Sequence, residues 1–280
     1  MLREAAPRLA AVSESPRAEA ERLLAEVLGT SRTRLVAGLA AAPSAEQRVT
    51  YEQLLARRAA GEPYAYLSGR QPFRQIELQV SPDVLIPRAD TEHLVDWALE
   101  RLAAWQSVGL AEPRVWDVCT GSGCVALAIA EASPTARLLA SDLSPAALTV
   151  ARGNAAALGL SRLEFVEADS LDWPTPAPFE LIVANPPYIA EGDPHLPALR
   201  HEPRLALVSG PDGLDCLRRL IAQAPARLAP GGWLLLEHGY DQGAAVRALL
   251  AAAGFDEVAS RRDYGGQERV SGGRWPGAAR

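Results

Sequence analysis

Phe179-Glu180-Leu181-Ile182-Val183-Ala184-Asn185-Pro186-Pro187-Tyr188 reads as a buried strand running into a rigid, acceptor-rich loop. Leu181, Ile182 and Val183 form an unbroken apolar run, the pattern of a strand covered on both faces in a parallel sheet. In an open α/β sheet the ligand crevice lies beyond the carboxyl ends of the strands, so residues 185–188 stand where chemistry is done. Pro186 and Pro187 bring no backbone N–H, and a proline keeps the residue before it extended, which leaves carbonyls available beside the Asn185 amide. An amide side chain, a carbonyl and the Tyr188 ring suit a planar group bearing an NH2: two acceptors for two hydrogens, and a face to stack on. Taken alone, the same four residues also fit a plain proline turn with a half-buried tyrosine. The rest of the chain decides between the two.

Working outward, strands and helices alternate from Arg114 onward. Strands are predicted over 115–118, 137–141, 163–166, 179–184 and 233–237, with helices near 123–132, 144–158, 213–229 and 242–253. This is the pattern of an α/β, doubly wound sheet. The tail, 255–260 and 268–271 around Tyr264-Gly265-Gly266-Gln267, predicts a closing strand pair with an antiparallel edge strand.

Asp117-Val118-Cys119-Thr120-Gly121-Ser122-Gly123 leaves the first of these strands, and Ala126 completes a Gly-x-Gly-x-x-Ala pattern at the mouth of a helix. Glycine lets the backbone approach a ligand, and the helix N-terminus points bare N–H groups at it. Asp142 ends the next strand 19 positions beyond Gly123, where an acid meets ribose hydroxyls. An adenosine cofactor is implied, and the pattern by itself fits a nicotinamide cofactor almost as well as S-adenosylmethionine. Asp117 favours the second, because a carboxylate there sits poorly beside a pyrophosphate and well beside the amino group of a methionine moiety. Asp169 and Ser170, in Glu167-Ala168-Asp169-Ser170, form a further polar strand end suited to an adenine edge.

The amino-terminal third reads differently. Leu2, Leu9 and Val12 suggest a helix. Ser15-Pro16 supplies an N-cap and a first-turn proline for a second helix reaching Gly29, and Thr33 opens a third with Leu35, Val36 and Leu39. Ser44 and Gln47 form a capping box for a fourth, with Leu54 and Leu55 inward and Gly61 as its stop. Residues 1–70 are therefore expected as a small helical domain, 71–89 as a linker and 90–280 as the catalytic domain. In the linker, Ile76, Leu78 and Val80 alternate with polar residues, Ser81-Pro82-Asp83 turns and Val84-Leu85-Ile86 returns, which predicts a β-hairpin. Asp90 or Thr91 then caps a helix carrying Leu94, Val95, Ala98, Leu99 and Leu102.

The 280 residues are 48% hydrophobic and 22% charged, the range of soluble globular proteins. All 28 basic residues are arginine against 34 acids, and a net charge of −6 points to a protein partner rather than bulk nucleic acid. Cys119, Cys124 and Cys216 lack CxxC spacing, and the four histidines share no ligand spacing, so neither a disulfide framework nor a metal site is indicated. Trp116, Trp173 and Trp233 are expected in the core or at its rim. With no signal-peptide core and no apolar run of about 18 residues, a cytoplasmic protein without membrane contact is expected.

These residues resemble the class I S-adenosylmethionine methyltransferases, and within them the HemK/PrmC-like enzymes that methylate the side-chain nitrogen (N5) of a glutamine in bacterial peptide chain release factors. The resemblance rests on Gly61-Glu62-Pro63-x-Ala65-Tyr66-Leu67-x-Gly69, on Leu85-Ile86-Pro87-Arg88-x-Asp90-Thr91-Glu92 and on the glycine loop. It rests further on Asn185-Pro186-Pro187-Tyr188, Glu237-His238-Gly239 with Gln242, and Asp263-Tyr264-Gly265-Gly266. It implies a Rossmann-like sheet of seven strands, the last antiparallel, behind an N-terminal domain that recognises the release factor. It also implies S-adenosylmethionine held by Asp117, Cys119, Thr120, Gly121, Ser122, Gly123, Asp142, Asp169, Ser170 and Asn185. The glutamine amide would lie on Asn185, Pro186, Pro187 and Tyr188, with Asn185, Pro186 and Tyr188 carrying the chemistry. The chain departs from the family pattern at Arg74, Ala89, Cys119 (a glycine position) and Ser170. Two rivals stand beside this reading: a DNA or RNA adenine or cytosine amino methyltransferase, which shares the Asn-Pro-Pro-Tyr loop, and a non-catalytic binding module on the same fold.

Overall fold

The computed structural model describes residues 1–277, which divide after Arg70 into two compact units. The first is helical: α1 (Leu2–Leu9), α2 (Pro16–Val27), α3 (Arg32–Val36), α4 (Ala45–Ala59) and α5 (Tyr64–Ser68). Leu9, Leu23, Leu24, Tyr51 and Leu55 form its core, with the Tyr51 hydroxyl donating to the Ala20 carbonyl. The capping box at Ser44 and Gln47 is present in full. Three local expectations are corrected. Ser15 makes no capping bond, Ser31 rather than Thr33 caps α3, and Leu39 lies beyond that helix and is exposed. The helix α5, just five residues long, falls in a stretch for which no element was predicted; so short a helix carries no periodic signal.

In the second unit the hairpin exists with a different register. β1 (Arg70–Phe73) pairs with β2 (Ile76–Gln79) across Arg74-Gln75, while 84–86, expected as the returning strand, is not a strand. Ser81 Oγ closes the turn with Asp83, and the Ile86 N–H is taken by the Glu202 carboxylate instead of a ladder partner. Thr91 stands at the N-cap of α6 (Glu92–Ser107) as one of the two residues expected there, but its side chain makes no capping bond; residues 89–91 form a 3-10 turn that leads into the helix.

The sheet contains β3 (Arg114–Val118), β4 (Arg137–Asp142), β5 (Glu164–Glu167), β6 (Phe179–Ala184), β7 (Leu228–Glu237), β8 (Asp256–Arg262) and β9 (Glu268–Arg274), in the order β5-β4-β3-β6-β7-β9-β8. The first five are parallel, and β9 runs antiparallel between β7 and β8. The last strand is thus antiparallel as expected, but it lies inside the sheet, and β8 is the edge. Alternation along each strand feeds two cores. Val115, Leu181, Val183 and Leu235 pack with α6 and α7 (Cys124–Ala132) on one face. Trp116, Val118, Ile182, Ala184 and Leu236 pack with α9 (Asp215–Gln223) and α10 (Gly243–Ala252) on the other. The remaining helix, α8 (Pro145–Ala157), follows β4 and starts at Ser144, whose hydroxyl accepts the Ala147 N–H. No helix of the described residues is long and apolar enough to cross a membrane.

Candidate active site

The chain runs β3, β4, β5 in one direction across the sheet and then returns to place β6 on the other side of β3. Strand order therefore reverses at β3, which opens a crevice at the carboxyl ends of β3 and β6. Val118 stands opposite both Ser141 and Ala184, so the glycine loop, Asp142 and Asn185 begin side by side. A cleft lies there. Asp117, Cys119, Thr120, Gly121, Ser122, Asp142, Asp169, Ser170, Asn185 and Pro187 all line it; Gly123, Pro186 and Tyr188 do not. Its remaining wall comes partly from residues the sequence had not assigned to the site: Asp83, Val84, Leu85, Pro87, Arg88 and Thr91, and the stretch carrying Pro203, Leu205 and Ala206.

The glycine loop is shaped by carboxylates. Asp117 is buried, and its Oδ2 accepts from the Thr120 hydroxyl (2.6 Å) and the Ala126 N–H (3.2 Å). Burial pushes Asp117 up to about 7, against these two hydrogen bonds. Asp142 accepts the Gly121 N–H and the Ser144 N–H, one on each oxygen and each at 2.9 Å, and burial raises it too. Gly123 has φ +84°, and a Cβ there would lie 2.9 Å from Leu127 Cδ1, so the residue is required by both backbone and packing. Asp169 is exposed and held by Arg219 at 2.6 and 2.7 Å. Each thiol influences the other: Cys216 raises Cys119, and Cys119 lowers Cys216.

Beyond β6, the Asn185 amide is oriented. Its Nδ2 donates to Thr91 Oγ1 at 3.1 Å, whereas Oδ1 is buried without a hydrogen-bond partner among the described residues. A buried acceptor left unpaired costs free energy unless a ligand supplies the donor. The Pro186 carbonyl likewise receives no donor among the described residues. Tyr188 is half-buried, its hydroxyl 3.4 Å from Glu237 Oε1, and burial raises its phenol above the ordinary value. Its carbonyl accepts from Gln242 Nε2 at 3.0 Å.

Residues 1–69 match the family model described as the PrmC N-terminal domain, and residues 96–201 match the methyltransferase small domain. The release factor glutamine methyltransferase of Xylella fastidiosa (strain Temecula1) is 48% identical over 270 residues, covering 96% of each chain. The chain belongs to the release factor glutamine methyltransferase family. The Escherichia coli (strain K12) member is 42% identical over 276 residues, covering 98% of this chain and 97% of that protein. Among solved structures, the ribosomal protein L11 methylase of Lactobacillus delbrueckii subsp. bulgaricus shares the fold, with a TM-score of 0.51 at 24% identity. The match covers 73% of this chain and 90% of that one.

For a release factor glutamine methyltransferase, three of the departures from pattern now have a shared geometry: Arg74, Cys119 and Ser170 stand at φ +51°, +60° and +57°. All three are non-glycine residues in the left-handed region. Two supports were missed in the sequence. Asn154, buried on α8, accepts the Gln79 N–H and donates to the carbonyls of Gln79 and Ser122, tying the hairpin to the glycine loop. Glu202 holds both the Ile86 N–H and Arg88. An asparagine inside the apolar stripe of a helix is a signal that could have exposed the first; nothing local marks the second. In this family member Asp142→Ala is expected to weaken S-adenosylmethionine binding by roughly tenfold to a hundredfold, the worth of a charge-assisted hydrogen bond. Titration calorimetry checks it, and unchanged affinity rejects the assignment.

Proposed function

We propose that the protein transfers a methyl group from S-adenosylmethionine to the side-chain amide nitrogen (N5) of the glutamine in the Gly-Gly-Gln motif of peptide chain release factors, acting in the cytoplasm. The observation that carries this reading is the pair of vacant acceptors, Asn185 Oδ1 and the Pro186 carbonyl, at the end of β6. A primary amide offers two N–H donors to match them. Asp117 and Asp142, which line the cleft together, suit the amino group and ribose of a cationic adenosine cofactor better than a pyrophosphate. When bound, S-adenosylmethionine supplies an electrophilic methyl group. Asp117 would hold its amino group, Asp142 its ribose and the Asp169-Ser170 strand end its adenine edge, with Cys119, Thr120, Gly121, Ser122 and Gly123 as the backbone cradle.

An amide nitrogen is a poor nucleophile because its lone pair is shared with its carbonyl, so the chain's task is alignment, worth roughly 7–11 kcal/mol in well-oriented systems. Asn185 and Pro186 fix the two N–H bonds, and Tyr188 bounds the amide plane. No strong base is needed first, because the nitrogen loses its proton only as positive charge develops there. Residues 1–70, the helical unit, would recognise the release factor.

The test offers the purified protein labelled S-adenosylmethionine with release factor, single-stranded DNA or transfer RNA. Label is expected in the release factor alone. Label in either nucleic acid but not in the release factor would reject the reading in favour of a base amino methyltransferase.

A further inference from the structure

Gln242 stands at the N-cap of α10, and its side-chain amide is bonded to the backbone of three separate segments. Its Oε1 accepts the Gly239 N–H at 2.9 Å, while its own backbone N–H donates to the Gly239 carbonyl at 2.9 Å. Its Nε2 donates to the Tyr188 carbonyl at 3.0 Å and to the Asp212 carbonyl at 3.4 Å. Only one orientation of this amide works. The Gly239 N–H can only donate and the two carbonyls can only accept, so a flipped amide would set NH2 against N–H and oxygen against two oxygens. The turn is built closely around it: a Cβ on Gly239 would stand 3.1 Å from Gln242 Oε1.

The loop that Gln242 grips cannot hold itself. Pro186 and Pro187 bring no N–H, and their rings lock φ, so residues 185–188 take their place from outside contacts. Asn185 Nδ2 reaches Thr91 at one end, and at the other the peptide joining Tyr188 to Ile189 is held on both edges. Its N–H donates to the Leu207 carbonyl at 2.8 Å, and its carbonyl receives Gln242. With two φ angles locked, a shift of that peptide carries back to the Pro186 carbonyl.

We propose that Gln242 is a positioning residue for methyl transfer: by holding the Tyr188 carbonyl it sets the Pro186 carbonyl against the substrate amide. The inference rests on the methyltransferase reading above. It assigns a task in the chemistry to a side chain that lies outside the lining of the cleft.

The test measures kcat, KM for release factor and, by calorimetry, cofactor affinity for the full-length protein and two variants, from about pH 5 to about pH 8. Gln242→Glu keeps the acceptor for Gly239 but, ionised, sets an oxygen against the Tyr188 and Asp212 carbonyls. At the alkaline end its kcat is expected to fall by roughly tenfold to a hundredfold, with KM and cofactor affinity retained. On acidification the new carboxyl gains one proton, and the oxygen facing the carbonyls must carry it, because the other faces an N–H. That proton restores a donor to Tyr188, so the ratio of variant to parental kcat is expected to rise as pH falls. The charged groups around the position are Asp241 beside it, Asp212 paired with Arg218, Glu268 paired with Arg247 against Gly243, and Arg269 over the Tyr240 ring. Their titrations, and those of Glu237 and His238, are shared with the parent and cancel in the ratio. Gln242→Met, similar in shape but without polar atoms, is expected to lose kcat without recovering it at low pH.

The proposal is overturned if Gln242→Glu turns over at the parental rate at the alkaline end, if its deficit does not shrink on acidification, or if cofactor affinity falls by the same factor as kcat. Should Gln242→Glu fail to fold, the uncharged Gln242→Met decides: a parental kcat overturns the proposal, and a lowered kcat with retained cofactor affinity supports it. A parent that methylates no release factor would instead overturn the functional reading on which the proposal rests.

Discussion

Asn185→Ala is expected to lower the single-turnover rate of methyl transfer by on the order of 10²–10³-fold, the usual cost of removing one preorganised hydrogen-bonding group at a reacting centre. Cofactor affinity is expected to fall far less than the rate, because the Asp117 and Asp142 contacts to the glycine loop do not involve Asn185. Truncation removes the acceptor aimed at the substrate and leaves Thr91 Oγ1 without its Asn185 donor. Asn185→Asp separates these effects. It keeps an acceptor but replaces the NH2 group that donates to Thr91 Oγ1 with a carboxylate oxygen, and it adds charge beside a cationic cofactor. That charge favours the ground state over a transition state in which the positive charge is dispersing, so binding holds while turnover falls. Rapid-quench kinetics at saturating cofactor and substrate check both variants; parental rates in Asn185→Ala would remove the loop from the chemistry.

The second large effect is expected at a glycine remote in sequence from the loop. Gly213 has φ +75°, and a Cβ there would lie 2.2 Å from the Tyr188 carbonyl oxygen and 2.8 Å from Gln242 Nε2. Gln242 is the residue that holds that carbonyl, through Nε2 at 3.0 Å. Gly213→Ala therefore drives a methyl group into the hydrogen bond that seats the loop. The left-handed backbone alone costs a non-glycine residue roughly 1–2 kcal/mol. Displacement of the loop adds a rate loss on the order of 10²-fold, the effect of misplacing a reacting group by about 1 Å. Gly159→Ala is the control, since Gly159 has φ +70° and open space around its Cβ position. It is expected to lower the melting temperature while leaving the transfer rate intact. Thermal unfolding and rate measurements on the two variants check this, and equal rates would show that the loop tolerates the intrusion.

How much of this was legible in the sequence depends on the range of the interaction. β6 was readable to the residue, because a strand buried on both faces leaves a continuous apolar run that ends abruptly at Asn185. The helices after β3, β4 and β7 were readable to within a residue or so at each end, since α7, α8 and α10 begin at local signals of glycine, capping serine and proline. β7 begins at Leu228, five residues before the expected start. The helix expected over 213–229 ends at Gln223, and the strand passes through Ala229-Pro230-Gly231-Gly232 with a shift in register against β6. The hairpin was misregistered because β1, Arg70-Gln71-Pro72-Phe73, has no alternation to announce it, while the apolar run 84–86 imitates a strand and in fact leads along the wall of the cleft.

The same distinction governs the site. Asn185 and Asp117 were visible because strand-end position and residue type suffice to suggest them. Thr91 was read as a helix cap, a reasonable local role for that residue, but its hydroxyl is spent on a partner 94 residues away. Glu237 was noted only as part of a motif. Its burial and its neighbours arise from sheet order, which local pattern does not encode.

The central claim is that the vacant acceptors after β6 receive a glutamine amide, and peptide mapping by tandem mass spectrometry tests it most directly. Release factor incubated with the protein and S-adenosylmethionine is expected to gain a single methyl group on the side-chain nitrogen of the glutamine in Gly-Gly-Gln. A methyl group on any other residue, or an unmodified glutamine after complete reaction, would contradict it.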